Sequence, residues 1–220
     1  MAGVADSRLR QPHSEDFMKN SYALAAAALA LASAAPLAQA QEAGDWLVRA
    51  RALHLDSANR DNTGLNLSVN NKTFPEVDIS YFVTPQLAVE LVLTYPQKHD
   101  LRSNGANIGS LKHLPPTLLV QWHFPMGGLR PYVGAGLNYT RFSAVKFSPA
   151  VQAALNPRID KNSTGLALQV GADYAVGDGW FVNADLKKVR IQTDVFAGAT
   201  KAGTFKVDPV LFSLGIGKKF

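Results

Sequence analysis

The chain has 220 residues, no Cys, a net charge of +5 and a mean hydropathy near zero. Small secreted domains often lean on disulfides, so a chain of this kind without cysteine needs another source of stability. Its basic residues are dispersed rather than gathered in a patch, which excludes nucleic-acid binding.

The first apolar run is Tyr22 to Ala40. Lys19 supplies a short positive region and Ala23 to Ala32 an apolar one. Pro36 breaks the helix, and Ala38-Gln39-Ala40 is a small-x-small cleavage site. These are the parts of a secretory signal peptide, so residues 18–40 are read as one and the mature chain as 41–220. Residues 1–17 are polar and precede a second methionine, Met18. They are read as a mis-assigned start, or else as an extended n-region. No later run is long and apolar enough for a transmembrane helix, which needs ~20 such residues.

From Trp46 onward the period is two. In the first strand, Trp46 to about Asp56, Trp46, Val48, Ala50 and Ala52 oppose Leu47, Arg49, Arg51, Leu53 and Leu55. The second, about Phe74 to Val83, sets Val77, Ile79, Tyr81 and Val83 against Glu76, Asp78 and Ser80. The third, about Leu87 to Tyr95, carries Glu90 on its polar face, and the fourth runs from Pro116 to Phe124. In the fifth, Val133 to Tyr139 alternate with Gly134 and Gly136. The sixth places Gln169, Gly171 and Asp173 opposite Leu168, Val170 and Tyr174. The seventh opposes Asn183, Asp185 and Lys187 to Val182, Ala184 and Leu186. The eighth, about Lys206 to Phe220, opposes Ser213, Gly215 and Gly217 to Phe212, Leu214 and Ile216.

A soluble sandwich would bury such apolar faces between two sheets; a membrane barrel turns them to lipid and keeps the polar set inside. Aromatics near the strand ends favour the barrel: Trp46, Phe124, Trp180 and Phe220 at one end, Tyr95, Tyr139 and Phe142 at the other. Connections also alternate. Thr84 to Gln86, Pro125 to Gly128 and Gly177 to Gly179 are short, whereas 57–72, 96–110, 144–162 and 196–203 are longer and polar. Outer-membrane barrels pair short periplasmic turns with long extracellular loops. The prediction is therefore an all-β, eight-stranded antiparallel transmembrane β-barrel in the bacterial outer membrane, with both termini periplasmic. Pro149 to Leu155 is compatible with a short helix.

Several stretches resemble the outer-membrane protein W (OmpW) family. His113-Leu-Pro-Pro-Thr-Leu118 with Gln121-Trp122 looks like that family's fourth strand. The segment from Arg130 to Tyr139, Arg-Pro-Tyr-Val-Gly-Ala-Gly-Leu-Asn-Tyr, looks like its fifth and is the most specific match. Val170-Gly-Ala-Asp-Tyr174 and the terminal Phe220 agree. The resemblance implies a narrow barrel passing small hydrophobic molecules. Phe212, Leu214, Ile216 and Phe220 form the expected signal for the barrel assembly machinery, with Lys218 departing from the usual apolar residue two places before the end.

An eight-stranded barrel has room for packed side chains or one small ligand. Inward glycines at 134, 136, 171, 215 and 217 either leave space or relieve crowding. Leu53 and Leu55, with Val189 and Ile191, are the expected apolar gate. Below it, Arg49, Arg51, Glu76, Asp78, Glu90, Asp173, Asp185 and Lys187 form an expected charge ladder, paired because an unpaired buried charge is costly. Lys188 and Arg190 point outward, where they face outer-membrane lipid and lipopolysaccharide. His54, Asp56 and Ser57 lie together, but no metal spacing or phosphate loop accompanies them. The expectation is a non-enzyme without cofactor or metal that passes or captures a small hydrophobic solute. The alternative is a structural or surface-recognition barrel whose loops bind a partner. Oligomeric state is not legible.

Overall fold

The computed structural model describes residues 41–220; the expected signal peptide, residues 18–40, and the segment before it lie outside the described residues. The chain runs β1 (Trp46–Asp56), β2 (Arg60–Asp61), β3 (Leu67–Val69), β4 (Lys72–Phe82), β5 (Leu87–Leu93), β6 (Gln97–Ser103), β7 (Ala106–Leu114) and β8 (Thr117–His123). It continues with β9 (Leu129–Phe147), α1 (Pro149–Leu155), β10 (Pro157–Ile159), β11 (Asn162–Gly177), β12 (Trp180–Val189), β13 (Gln192–Ala197), β14 (Thr200–Lys206) and β15 (Val210–Lys219).

Eight strands close the barrel in the order β1-β4-β5-β8-β9-β11-β12-β15, every pair antiparallel. Closure comes from the first and last strands, with Ala50 opposite Ile216, and from β9 against β11, with Leu166 opposite Leu137. Every wall strand therefore has a neighbour on each side, which satisfies backbone groups that lipid cannot.

Burial alternates along the wall as the period of two requires. On β12 it reads exposed, buried, exposed, buried from Trp180 to Val189. Val120, Val133, Leu137, Leu168 and Ile216 are about half exposed, whereas Arg49, Asp78, Glu90 and Asp173 are sealed inside. A water-soluble protein would invert this arrangement. Trp46, Phe124, Trp180 and Phe220 ring the end with the short turns, and Tyr95 and Tyr139 the end with the long loops. Phe124 lies level with Pro131, and from there to Tyr139 the strand rises about 27 Å at ~3.4 Å per residue. A tilt of about 40° reduces this to roughly 20 Å of height, close to the apolar band of such barrels.

Phe142 departs from the expected girdle. It is buried, because β9 continues past Tyr139 and its parity turns this ring inward. The loops depart further. The 96–110 stretch becomes the β6–β7 hairpin, which pairs with the upper part of β9. The others supply a second sheet, β10-β13-β14-β2, and helix α1 follows Ser148 with Pro149 in its first turn.

Lys218 sits at the turn end. Its ammonium donates to the Asp178 carbonyl and lies 5.0 Å from the Trp180 ring centre. The cation is thus held at the membrane boundary on an aromatic face.

Candidate functional site

The inside of the barrel has three levels. Nearest the turns lies a charged plug. Arg49 Nε and Nη2 donate to the two Asp173 oxygens at 2.9 and 2.6 Å, and Nη1 donates to Glu90 Oε2 at 2.9 Å and Ser80 Oγ at 2.8 Å. Arg51 pairs with Glu76 at 3.0 Å, Asp78 at 2.5 Å and Asp185 at 3.4 Å. Lys187 Nζ bridges Glu76 and Asp185, each at 2.8 Å. All eight ladder residues are brought together in one network, which supplies the partners that buried charge requires.

The plug also recruits residues not singled out from the sequence. Tyr132 donates to Asp185 at 2.8 Å. Gln169 donates to Glu90 and Asp185, and Gln121 to Gln169. Their signal was parity alone: each falls on the inward face of its strand. Beneath, the His123 ring lies between Phe82 and Tyr132, at centroid distances of 4.9 and 5.0 Å.

The inward glycines make this packing possible. A Cβ on Gly136 would stand 1.9 Å from the Leu118 carbonyl oxygen, and one on Gly215 2.1 Å from that of Ala50. At Gly171 it would meet the Tyr132 hydroxyl at 2.4 Å. Of the two readings of these glycines, crowding is the correct one; they leave no open lumen.

Above the plug, Leu53, Leu55, Val189 and Ile191 are all buried in one apolar cluster with Phe74, Val92 and Leu211. The hollow at this level is about 20 Å³, enough for a single water. The expected gate residues meet, and they meet closed.

The third level lies among the loop-end strands, where the sequence had read only connections. Leu67, Leu101, Leu111, Phe147, Val195 and Phe205 help line a cavity of about 100 Å³ there, with Val151 and Leu155 of α1 along one side. Ser103 and Thr193 are the polar side chains of its lining. An apolar cavity of ~150 Å³ stays dry and holds a benzene-sized guest, so this one has the scale of a small apolar molecule. Its walls join the gate through the same buried cluster.

The barrel wall is incomplete beside the gate. The β4–β5 ladder stops at Val77 opposite Leu93, and the β5–β8 ladder at Val92 opposite Thr117. Pro75, Pro96, Pro115 and Pro116 surround the gap, and proline has no N–H to extend a ladder. On the β4 side a side chain bridges it: Thr94 Oγ1 donates to the Pro75 carbonyl at 3.1 Å. On the far side Pro115 and Pro116 stay tied to β9, where Asn138 Nδ2 donates to both carbonyls at 3.2 Å and the Tyr139 N–H to that of Pro116 at 3.0 Å. Thr94, Pro115 and Thr117 line the outer side of the gate hollow.

The remaining predicted residues lie apart from these levels. His54 bonds Thr73, the Asn71 side chain donates to Asp56 and accepts the Ser57 amide, and the Ser57 hydroxyl donates to Asn59 and the Val207 carbonyl; none of these bonds joins two of the three side chains. Phe212, Leu214, Ile216 and Phe220 face outward. Lys188 and Arg190 are exposed on the outer face. Among the described residues no group of His, Cys, Asp or Glu has the makings of a metal site.

A closed eight-stranded barrel, apolar outside and ionic within, defines a bacterial outer-membrane protein. More narrowly, the chain belongs to the OmpW family, whose pattern it matches over residues 42–220. It is 37% identical over 210 residues to outer membrane protein W of Vibrio cholerae serotype O1, covering 88% of this chain and 96% of that one. It is 30% identical over 151 residues to the dibenzothiophene metabolism operon protein PahQ of Pseudomonas aeruginosa, covering 65% and 69%. Its fold is similar to the crystal structure of OprG from Pseudomonas aeruginosa, with a TM-score of 0.70, 27% identity and coverage of 82% and 97%.

Proposed function

We propose that this protein captures small apolar compounds at its loop end and releases them sideways into the membrane, without passing them down the bore. The loop end then faces the cell exterior and both termini the periplasm. The observation that carries this reading is the position of the apolar cavity, directly above a gate and a plug that are closed. A solute that sheds water into the cavity gains ~25 cal/mol per Å² of apolar surface buried. Moving onward through the ionic plug would mean breaking charge pairs in a dry interior, a cost of several kcal/mol. The proline-lined gap beside the gate has no ladder to break. On its β4 side, opening requires that Thr94 give up its side-chain hydrogen bond to Pro75, worth about 1 kcal/mol, while Pro115 and Pro116 remain held to β9. The name of PahQ places that relative among proteins of dibenzothiophene metabolism, which fits an apolar fused-ring aromatic compound as the class of solute.

An environment-sensitive apolar fluorophore tests the capture step. Titrated into the protein in detergent, it should bind saturably and lose affinity in Val195→Trp, which fills the cavity. Equal binding by the variant would remove the cavity from the pathway and leave the loop-recognition reading as the better one.

A further inference from the structure

On the outer surface, apart from the interior levels, one hollow of about 500 Å³ straddles the loop-end edge of the apolar band. Its upper part is net basic, lined by Arg60, Arg190 and Lys206 with the single acid Asp208; its lower part is formed by Leu137 and Leu166. Both leucines are 57% exposed and stand opposite each other in the β9–β11 ladder, two positions below the Tyr139 and Thr164 pair.

The cations reach this hollow by an unfavourable arrangement. Arg60 of β2 stands directly opposite Lys206 of β14, and Gln192 of β13 opposes Lys206 on its other side. Like charges facing across a ladder destabilise it, yet neither is offset: Arg60, Arg190 and Lys206 have no carboxylate within salt-bridge range among the described residues. The acids nearby are turned to other work. Asp208 Oδ1 accepts the Ile191 amide at 3.1 Å, and its carbonyl oxygen accepts from Lys188 at 2.5 Å. Asp61 accepts the Thr63 and Leu67 amides, both at 2.9 Å, and is held below the usual carboxylate range by those bonds despite partial burial. Three cations, none in an ion pair and together outnumbering the one carboxylate of Asp208, therefore stand over an apolar slot at the membrane boundary.

We infer that this hollow binds a phosphorylated, acylated glycolipid of the outer leaflet, of the lipid A type. Its phosphate would lie among Arg60, Arg190 and Lys206, and one acyl chain would run down over Leu137 and Leu166. Arginine is suited to phosphate because its planar fork donates two parallel hydrogen bonds. Cations just outside the hydrocarbon add attraction to an anionic surface. A free anion would use the cations but leave the leucines unexplained; a neutral lipid would use the leucines but leave the cations unopposed. The inference relies on the proposed orientation, with the loop end outward, but not on solute capture.

Native mass spectrometry of the detergent-solubilised protein tests it. The probes are bis-phosphorylated lipid A, the same lipid with its phosphates removed, and inorganic phosphate. Wild type should retain the phosphorylated lipid at least about tenfold better than the Arg60→Gln/Arg190→Gln/Lys206→Gln variant, given three neutralised cations. Wild type should also prefer it to the dephosphorylated lipid. The variant should fold, since the three side chains are exposed and unpaired; heat-dependent mobility on gels checks this. A Lys98→Gln/Lys112→Gln control, which removes two charges from the β6–β7 hairpin, should behave as wild type. Equal retention by the triple variant, equal binding of the dephosphorylated lipid, or full displacement by millimolar phosphate would each overturn the inference. Binding in detergent is read independently of membrane orientation and of fluorophore uptake, so its failure is distinguishable from failure of the capture reading.

Discussion

Arg49 and Asp173 are 124 positions apart in sequence and meet in a two-pronged ion pair across the bore, at 2.9 and 2.6 Å. One comes from β1 and the other from β11, so the pair spans the barrel from wall to wall. Both side chains are sealed from solvent. The pair links the fold to the function: it holds opposite walls together and closes the axial route.

Removing one partner leaves the other charged and buried, which typically costs 3–5 kcal/mol. Arg49→Ala should therefore lower stability by about 3 kcal/mol, read as a lower unfolding temperature of the gel-resistant form. Arg49→Ala/Asp173→Ala should lose less than the sum of the single changes. Additive losses would show that the pair is not coupled.

The crowded glycines carry a second prediction. A methyl at Gly136 would lie 1.9 Å from the Leu118 oxygen, and overpacking of this kind costs about 1–3 kcal/mol or more. Gly136→Ala should reduce the yield of folded barrel in detergent refolding. Gly64→Ala, where no atom lies within 4 Å of the added carbon but the backbone is left-handed, should affect only the local loop.

Period-two alternation made the wall legible, since parity alone assigns each side chain to lipid or bore. Arg49, Glu90 and Asp185 could be placed inward from their neighbours. Phe142 shares the inward parity of Gly136 and Asn138, yet was expected in the girdle because nothing in the sequence marks where β9 leaves the membrane and continues upward. The cavity was hidden for a related reason. Leu67, Leu101, Val195 and Phe205 belong to short strands whose partners come from distant loops, as β2 with β14. Gly136 and Gly215 read equally well as space or as crowding until the neighbouring carbonyls were located.

A third prediction concerns the loop-end hairpin, beyond the membrane-spanning strands. The His99 and His113 rings stack at 4.5 Å. Burial lowers the pKa of both, and the neighbouring imidazole and Lys72 lower His113 further, to about 3; the Asn70 carbonyl and Asp100 partly oppose this at His99. An unfolded histidine takes its proton near pH 6.5. Between about 6.5 and 3 the unfolded hairpin therefore binds more protons than the folded one, and acidification destabilises it. Amide exchange in β6 and β7 should be slow at pH 7.5 and faster, after correction for intrinsic rates, at pH 5. His113→Phe should flatten that dependence; an unchanged dependence would clear this histidine of the effect.

A fourth separates lateral from axial release. Thr94→Trp places an indole in the proline-lined gap while leaving the cavity lining untouched. Fluorophore binding should remain near wild type, and transfer into the bilayer should slow by about tenfold, on the scale of effects that pocket-shape changes produce. Equal slowing of both steps would mean that the gap and the cavity are one site.

The most direct test is uptake of a radiolabelled aromatic hydrocarbon by lipid vesicles carrying the folded protein, with empty vesicles and vesicles carrying Val195→Trp as references. The account predicts protein-dependent accumulation in the membrane fraction, lost on filling the cavity and retained in the plug variant Glu90→Gln. Accumulation in the vesicle lumen that rises when the plug is loosened, or no protein-dependent uptake from a barrel shown to be folded, would contradict it.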